Sequence, residues 1–319
     1  MKTMKSTKFF SLMLAIAMIG LFTTSCNKDE KNNQEIPDSA SIQQLVKDEV
    51  VIESGFEDAL KDANDVLSQG NTKNIQTLPC NTHIDTTFST GLDTVTYTLI
   101  FNGLNCAGTK YKTGSLSVTK KVSAPWSAAG TTVSVSFNNL KIEKAPAGVP
   151  NGNYVIFNGT KVWTNVSGGF IKDLSGTSSV VYTIAGSVQT TFSDNTTRTW
   201  NVNRRFTYTG NYATNNLLLS LEGLGSANGY NNLVVWGTNR HGEAFYTQIT
   251  QAIVLKQSCG WNPISGVKVH QIPSDSKSAT ITFGYDSNSN PVTGGACATH
   301  LKLEWVKGAY SGTLFLALP

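Results

Sequence analysis

Charge is scarce in this chain. Only 14% of its 319 residues are Asp, Glu, Lys or Arg, and after about residue 70 they are mostly isolated, too thin a supply to solvate the outer faces of long helices. No CxxC pair occurs among the five cysteines, which excludes a zinc knuckle or a thioredoxin-like dithiol. The four histidines, His83, His241, His270 and His300, are far apart and enter no HxH or HExxH spacing, so they predict surface or strand-face imidazoles and no metal site. GxSxG and a P-loop lysine are both missing, which excludes the recognisable serine hydrolases and nucleotide triphosphatases. Gly223, Gly225 and Gly229 space a GLGSANG stretch one residue too long for a dinucleotide loop, and no helical pattern follows it; it reads as a turn. No catalytic residue and no cofactor is therefore expected.

Long apolar runs are missing too, with one exception. Phe9 to Phe22 is uncharged and mostly apolar, behind Lys2, Lys5 and Lys8 and ahead of Thr23, Thr24, Ser25 and Cys26. It is shorter than the ~20 residues of a membrane-spanning helix and has the order of an export signal. It resembles the signal of a bacterial lipoprotein, in which the cysteine thiol receives a diacylglycerol and the chain is cut before it; Thr23 stands where that signal usually has Leu. The resemblance implies that residues 1–25 are removed, that Cys26 is the lipidation site, and that palmitate-type acyl chains, at ~0.8 kcal/mol per buried methylene, anchor the protein. Asn27, Lys28, Asp29 and Glu30 resemble the lysine-plus-acid signal that directs such proteins to the outer face of the outer membrane, so a lipid-anchored position at the cell surface is expected. Removing the three signal lysines takes the formal charge from +4 to about +1, and no nucleic-acid partner is implied.

Residues 26–40 are polar, contain Pro37 and lack an apolar period, as a flexible tether does. From Ser41 the pattern becomes helical to about residue 70: Ser41 and Gln44 make a capping box, and Leu45, Ile52, Phe56, Leu60, Ala63 and Leu67 share one stripe. Gly55 is expected to bend or split this helix. Its other side, with Asp48, Glu49, Glu53, Glu57, Asp58, Asp62 and Asp65, reads as a solvated face. After residue 78 the period becomes 2 and stays so, with hairpin-type turns between about a dozen strands. Residues 78–319 therefore form a mainly β body, a large antiparallel sheet folded as a sandwich or as a half-barrel with the amphipathic helix laid into it. The turn-rich stretch 221–232 is the expected place for any internal boundary. Four cysteines remain after Cys26, and an exported chain meets oxidising conditions. Three connectivities are open; Cys80–Cys106 and Cys259–Cys297 are expected, since one pair lies among the early strands and the other near the end.

Cys259, Trp261, Ser265, Gly266 and Val267, the TFGY stretch at 282–285 and Cys297 resemble the ending of a group of Bacteroidota outer-membrane lipoproteins with no established activity, as do Phe101, Cys106, Tyr111, Gly114, Leu116 and Val118 earlier. Ala298 stands where that group usually has an acid. Asp38-Ser39-Ala40, Asp85-Thr86-Thr87 and Asp93-Thr94-Val95 resemble sites that Bacteroidota glycosylate in exported proteins, making Ser39, Thr86 and Thr94 candidate O-glycosylation sites. For ligands the aromatics are the lead. Trp163 and Trp236 fall opposite the apolar phase of their strands and are expected outside, where flat rings suit sugar faces. The expectation is a noncatalytic, membrane-anchored binding or structural lipoprotein with glycan as the leading ligand. An envelope protein partner is the first alternative and a glycan-active hydrolase of unrecognised type the second, because two carboxylates about 5 to 9 Å apart leave no sequence signature.

Overall fold

Alternation along the strands determines the architecture. In Thr94–Leu104, Val95, Tyr97, Leu99 and Phe101 are buried while the threonines between them reach solvent, which gives one dry face and one neutral, hydroxyl-rich face. On the wet face the hydroxyls bond one another across strands, Thr96 to Thr119 at 2.9 Å, Thr98 to Ser117 at 3.1 Å and Ser136 to Thr160 at 2.9 Å. The computed structural model describes residues 40–67, 69 and 78–318. Cys26, Ser39, the signal segment 1–25 and nearly all of the tether lie outside the described residues, as does the Ser41 side chain of the expected capping box.

Among the described residues one α-helix, α1 (Ala40–Leu67), precedes fifteen strands. They are β1 (Thr82–Ser89), β2 (Thr94–Leu104), β3 (Lys110–Lys121), β4 (Thr131–Lys144), β5 (Tyr154–Asn165), β6 (Ser175–Phe192), β7 (Thr197–Asn211), β8 (Asn216–Gly223), β9 (Gly225–Ala227), β10 (Tyr230–Thr238), β11 (Ala244–Lys256), β12 (Asn262–Ile272), β13 (Lys277–Tyr285), β14 (His300–Lys307) and β15 (Tyr310–Ala317). All pair antiparallel in a single sheet, β1 to β7 in chain order, then β10 to β15. Helix α1 packs against β3, β5 and β13. Since β13 lies eight places beyond β3 in the strand order, a flat sheet would separate them by ~38 Å at ~4.8 Å per strand, whereas a helix is only ~10 Å thick. The sheet is therefore curled round the helix, and of the two expected arrangements the curved one with an inlaid helix is realised. Ile52, Phe56, Ala63 and Val66 are fully enclosed and join the inward side chains of the strands in one core.

The helix runs unbroken through Gly55, contrary to the expected bend. A β-carbon at Gly55 would sit 2.9 Å from Cζ of Phe157 on β5, so glycine is there to let the helix approach the sheet. Both disulfides, Cys80–Cys106 and Cys259–Cys297, are formed. The first clasps the start of β1 to the end of β2; the second ties the turn between β11 and β12 to the segment leading into β14. No break in the sheet occurs at 221–232: β8 and β10 occupy one slot between β7 and β11, one following the other.

Candidate functional site

That shared slot is where the sheet departs most from regularity. Strand β7 pairs Thr199 to Val202 with β10 and Arg204 to Asn211 with β8. Across the slot, β11 pairs Gln248 with Leu233 of β10 and Ile253 with Leu221 of β8, and its register shifts in between. Residues 225 to 233 form a small hairpin at the handover, in which β9 pairs with the start of β10 off the main strand order. Asn228 and Gly229 have positive φ at its tip. Gly223 is required at the handover, where a β-carbon would lie 2.1 Å from the Asn232 carbonyl oxygen.

On the outer face the handover leaves a cavity of about 320 Å³, walled by Arg205, Glu222, Asn232 and Thr250. The half-exposed Arg205 and Glu222 approach to 3.6 Å. Trp236 lies on the same face, opposite Asn201 of β7, whose amide donates to the Trp236 carbonyl at 3.1 Å. Gly225 of the hairpin rests on the indole, so Trp236 points outward as expected but is only half-exposed. Beside it Tyr230 stacks on Tyr246 at 4.3 Å, and the Asn228 amide bonds the Tyr246 hydroxyl.

On the inner face the same region meets the acidic side of α1. Of the expected solvated face, Asp48, Glu49 and Asp62 are buried and Glu53, Asp58 and Asp65 half-buried, while the Glu57 side chain lies outside the described residues. Glu49 pairs with Arg198, whose side chain is fully enclosed; Glu53 takes Arg204 Nη1 on both carboxylate oxygens, at 2.9 and 3.1 Å. Asp48 pairs with Arg240 at 2.8 Å, and Asp58 and Asp62 share Lys112 at 2.5 and 2.6 Å. The acids turn inward because the concave face presents cations at the matching heights; each partner lies on β3, β7 or the turn after β10. Burial raises Asp62 to about 6, with Lys112 opposing; burial also raises Asp58, but Lys110 and Lys112 more than offset it and hold that carboxyl below its ordinary value. Burial brings Arg198 down to about 9 against the pull of Asp48.

Trp163 corrects a second expectation. It is 7% exposed and packs on Trp126 at 4.9 Å and Tyr182 at 5.6 Å. The reason is Lys161, two residues earlier and also inside, its ammonium 3.4 Å from the centre of the Trp200 ring and 3.6 Å from that of Phe56. A buried lysine with an exposed Val162 after it inverts the apparent polarity of β5. Thr86 and Thr94 are half-buried, on β1 and at the start of β2. His241 and Glu243 fall in the turn after β10, where the Asn239 side chain bonds both of their backbone N–H groups and the Glu243 carboxylate. Among the described residues no three His, Cys, Asp or Glu side chains gather as metal ligands would. Sequence reasoning missed the inward cations; the run Arg198, Trp200, Val202, Arg204, Phe206 at period 2 was the available signal. No protein family, no curated protein and no solved structure matches this chain.

Proposed function

We propose that the chain is a noncatalytic envelope lipoprotein, anchored through Cys26 at the outer membrane, that binds neutral polar ligands, glycans foremost, in the outer cavity at the β8–β10 handover. The observation that carries the reading is that cavity. At about 320 Å³ it has the size of a small-molecule site. The guanidinium, carboxylate, amide and hydroxyl of Arg205, Glu222, Asn232 and Thr250 offer hydrogen-bond donors and acceptors together, which is what a polyol needs. Trp236 and Tyr230 lie on the same outer surface near it, half-buried, where aromatic rings suit sugar faces. Binding is favoured over hydrolysis because Glu222 is the one carboxylate among the described lining residues, and glycoside hydrolysis needs two.

A glycan array probed with the soluble chain beginning at Lys31, and with its Arg205→Ala, Glu222→Ala and Trp236→Ala variants, tests this. Retention of one glycan class by the parent, lost in the cavity variants, supports the reading. No glycan retained by the parent refutes it and leaves an envelope protein as the partner. The anchor is tested separately: Cys26→Ala should leave the membrane fraction and lose acyl mass.

A further inference from the structure

Between α1 and the inner face of the same handover lies a second cavity, of about 50 Å³. A buried water needs ~10–15 Å³, so there is room for a small ligand. Most of the wall is apolar, from Leu221, Val235, Ile253 and Phe283, but Arg204, Lys268 and His270 also line it. The two acids that border it are committed elsewhere, Glu49 to Arg198 and Glu53 to Arg204. Lys268 forms no ion pair among the described residues; Glu53 attracts its ammonium from a distance and Arg204 repels it. Lys268 is thus the one cation of the wall with no carboxylate at ion-pair distance among the described residues.

His270 is the second observation, independent of charge. Its ring is 2% exposed. Nδ1 lies 2.8 Å from the Thr247 hydroxyl, while Nε2 has no partner among the described residues. Burial first, then Lys268 and Arg198, hold the imidazole well below its ordinary pKa and so neutral. The Thr247 hydroxyl can donate to Nδ1 or accept from it; in the tautomer where it donates, the proton of the neutral ring sits on Nε2 as an unused buried donor.

We propose that this inner cavity is a binding site for a small monovalent anion of halide size, held by the Lys268 ammonium and the His270 Nε2–H with Arg204 beside them. One anion would satisfy both anomalies at once, the ammonium without an ion-pair partner and the idle donor. Water would satisfy only the donor, and a metal cation would be repelled by Arg204 and Lys268. Apolar walls and small volume favour weakly hydrated chloride or bromide over sulfate or phosphate, whose remaining oxygens would find no donors.

The test uses the mature chain in potassium gluconate, with bromide or chloride replacing gluconate at constant ionic strength. Melting temperature should rise with halide concentration as binding to the folded state requires, by RT ln(1 + [L]/Kd), and crystals soaked in bromide should show an anomalous peak between Lys268 and His270. Lys268→Met should weaken bromide binding by more than about tenfold while melting no lower than the parent in gluconate. A flat response to halide in the parent, a halide response undiminished in Lys268→Met, or diffracting bromide-soaked crystals without that peak would each overturn the proposal. Should Lys268→Met fail to fold, His270→Phe serves the same comparison and the bromide peak in the parent decides.

Discussion

Replacing Arg198 by methionine separates the energetic role of the helix–sheet seam from its packing. The side chain is fully enclosed, its partner Glu49 is 6% exposed, and its guanidinium carbon lies 4.0 Å from the centre of the Phe245 ring. Methionine keeps much of the volume and the contact with Phe245 but strands the Glu49 carboxylate in the core. Leaving one partner of a buried pair uncompensated costs about 3–5 kcal/mol, a large share of a total stability of about 5–15 kcal/mol. The same reasoning gives a different result for Glu49→Leu/Arg198→Met, which removes both charges and both desolvation penalties. That double variant should lie within about 1 kcal/mol of the parent or above it. Urea unfolding followed by tryptophan fluorescence and by far-ultraviolet circular dichroism at pH 7 measures the parent, the two single variants and the double variant. A single substitution that shifts stability by less than about 1 kcal/mol, or a double variant as unstable as the sum of the singles, would show that the pair is not the buried, mutually dependent unit described here.

Gly55→Ala should destabilise by about 1–3 kcal/mol through overpacking on Phe157, although alanine alone favours a helix by ~1 kcal/mol over glycine; a stabilised variant in the same urea assay would refute the close approach. Asp62 keeps its proton more tightly when folded, at about 6 against an ordinary 3.8, so its contribution is fully present below pH 3.8 and is lost as pH rises through 6. Asp62→Asn should therefore remove a fall in stability on the order of 2–3 kcal/mol between pH 4 and 7. Asp58, held low by Lys110 and Lys112, has the opposite sign, and Asp58→Asn should destabilise at pH 7 and little at pH 3. Equal pH profiles for the two variants would contradict this assignment. Cys259→Ser/Cys297→Ser opens a loop spanning 38 positions and should cost on the order of 3–4 kcal/mol while unreduced mass mapping still finds Cys80 joined to Cys106.

Much of the fold is written in short-range patterns. Period 2 after residue 78, the stripe of Ile52, Phe56, Leu60 and Ala63, the glycine and asparagine turns, and two cysteine pairs each close in the chain are local features, and local sterics and burial suffice to interpret them. Even so, β1, at one edge of the sheet, carries little strand signature, because Thr, Asp and His dilute its alternation and Phe88 remains exposed. The candidate sites were far less legible. Whether Glu49 and Glu53 face water or the core depends on Arg198 and Arg204, 149 and 151 positions away, and no window along the chain contains both members of either pair. Trp163 was misplaced because polarity stands for exposure only while inward positions are apolar; Lys161, satisfied by aromatic rings from α1 and β7, breaks that proxy. The outer and inner cavities depend on β7 and β11 each serving two successive partners. That is a property of strand pairing across the slot, so only the assembled sheet determines where the gap falls and which side chains surround it.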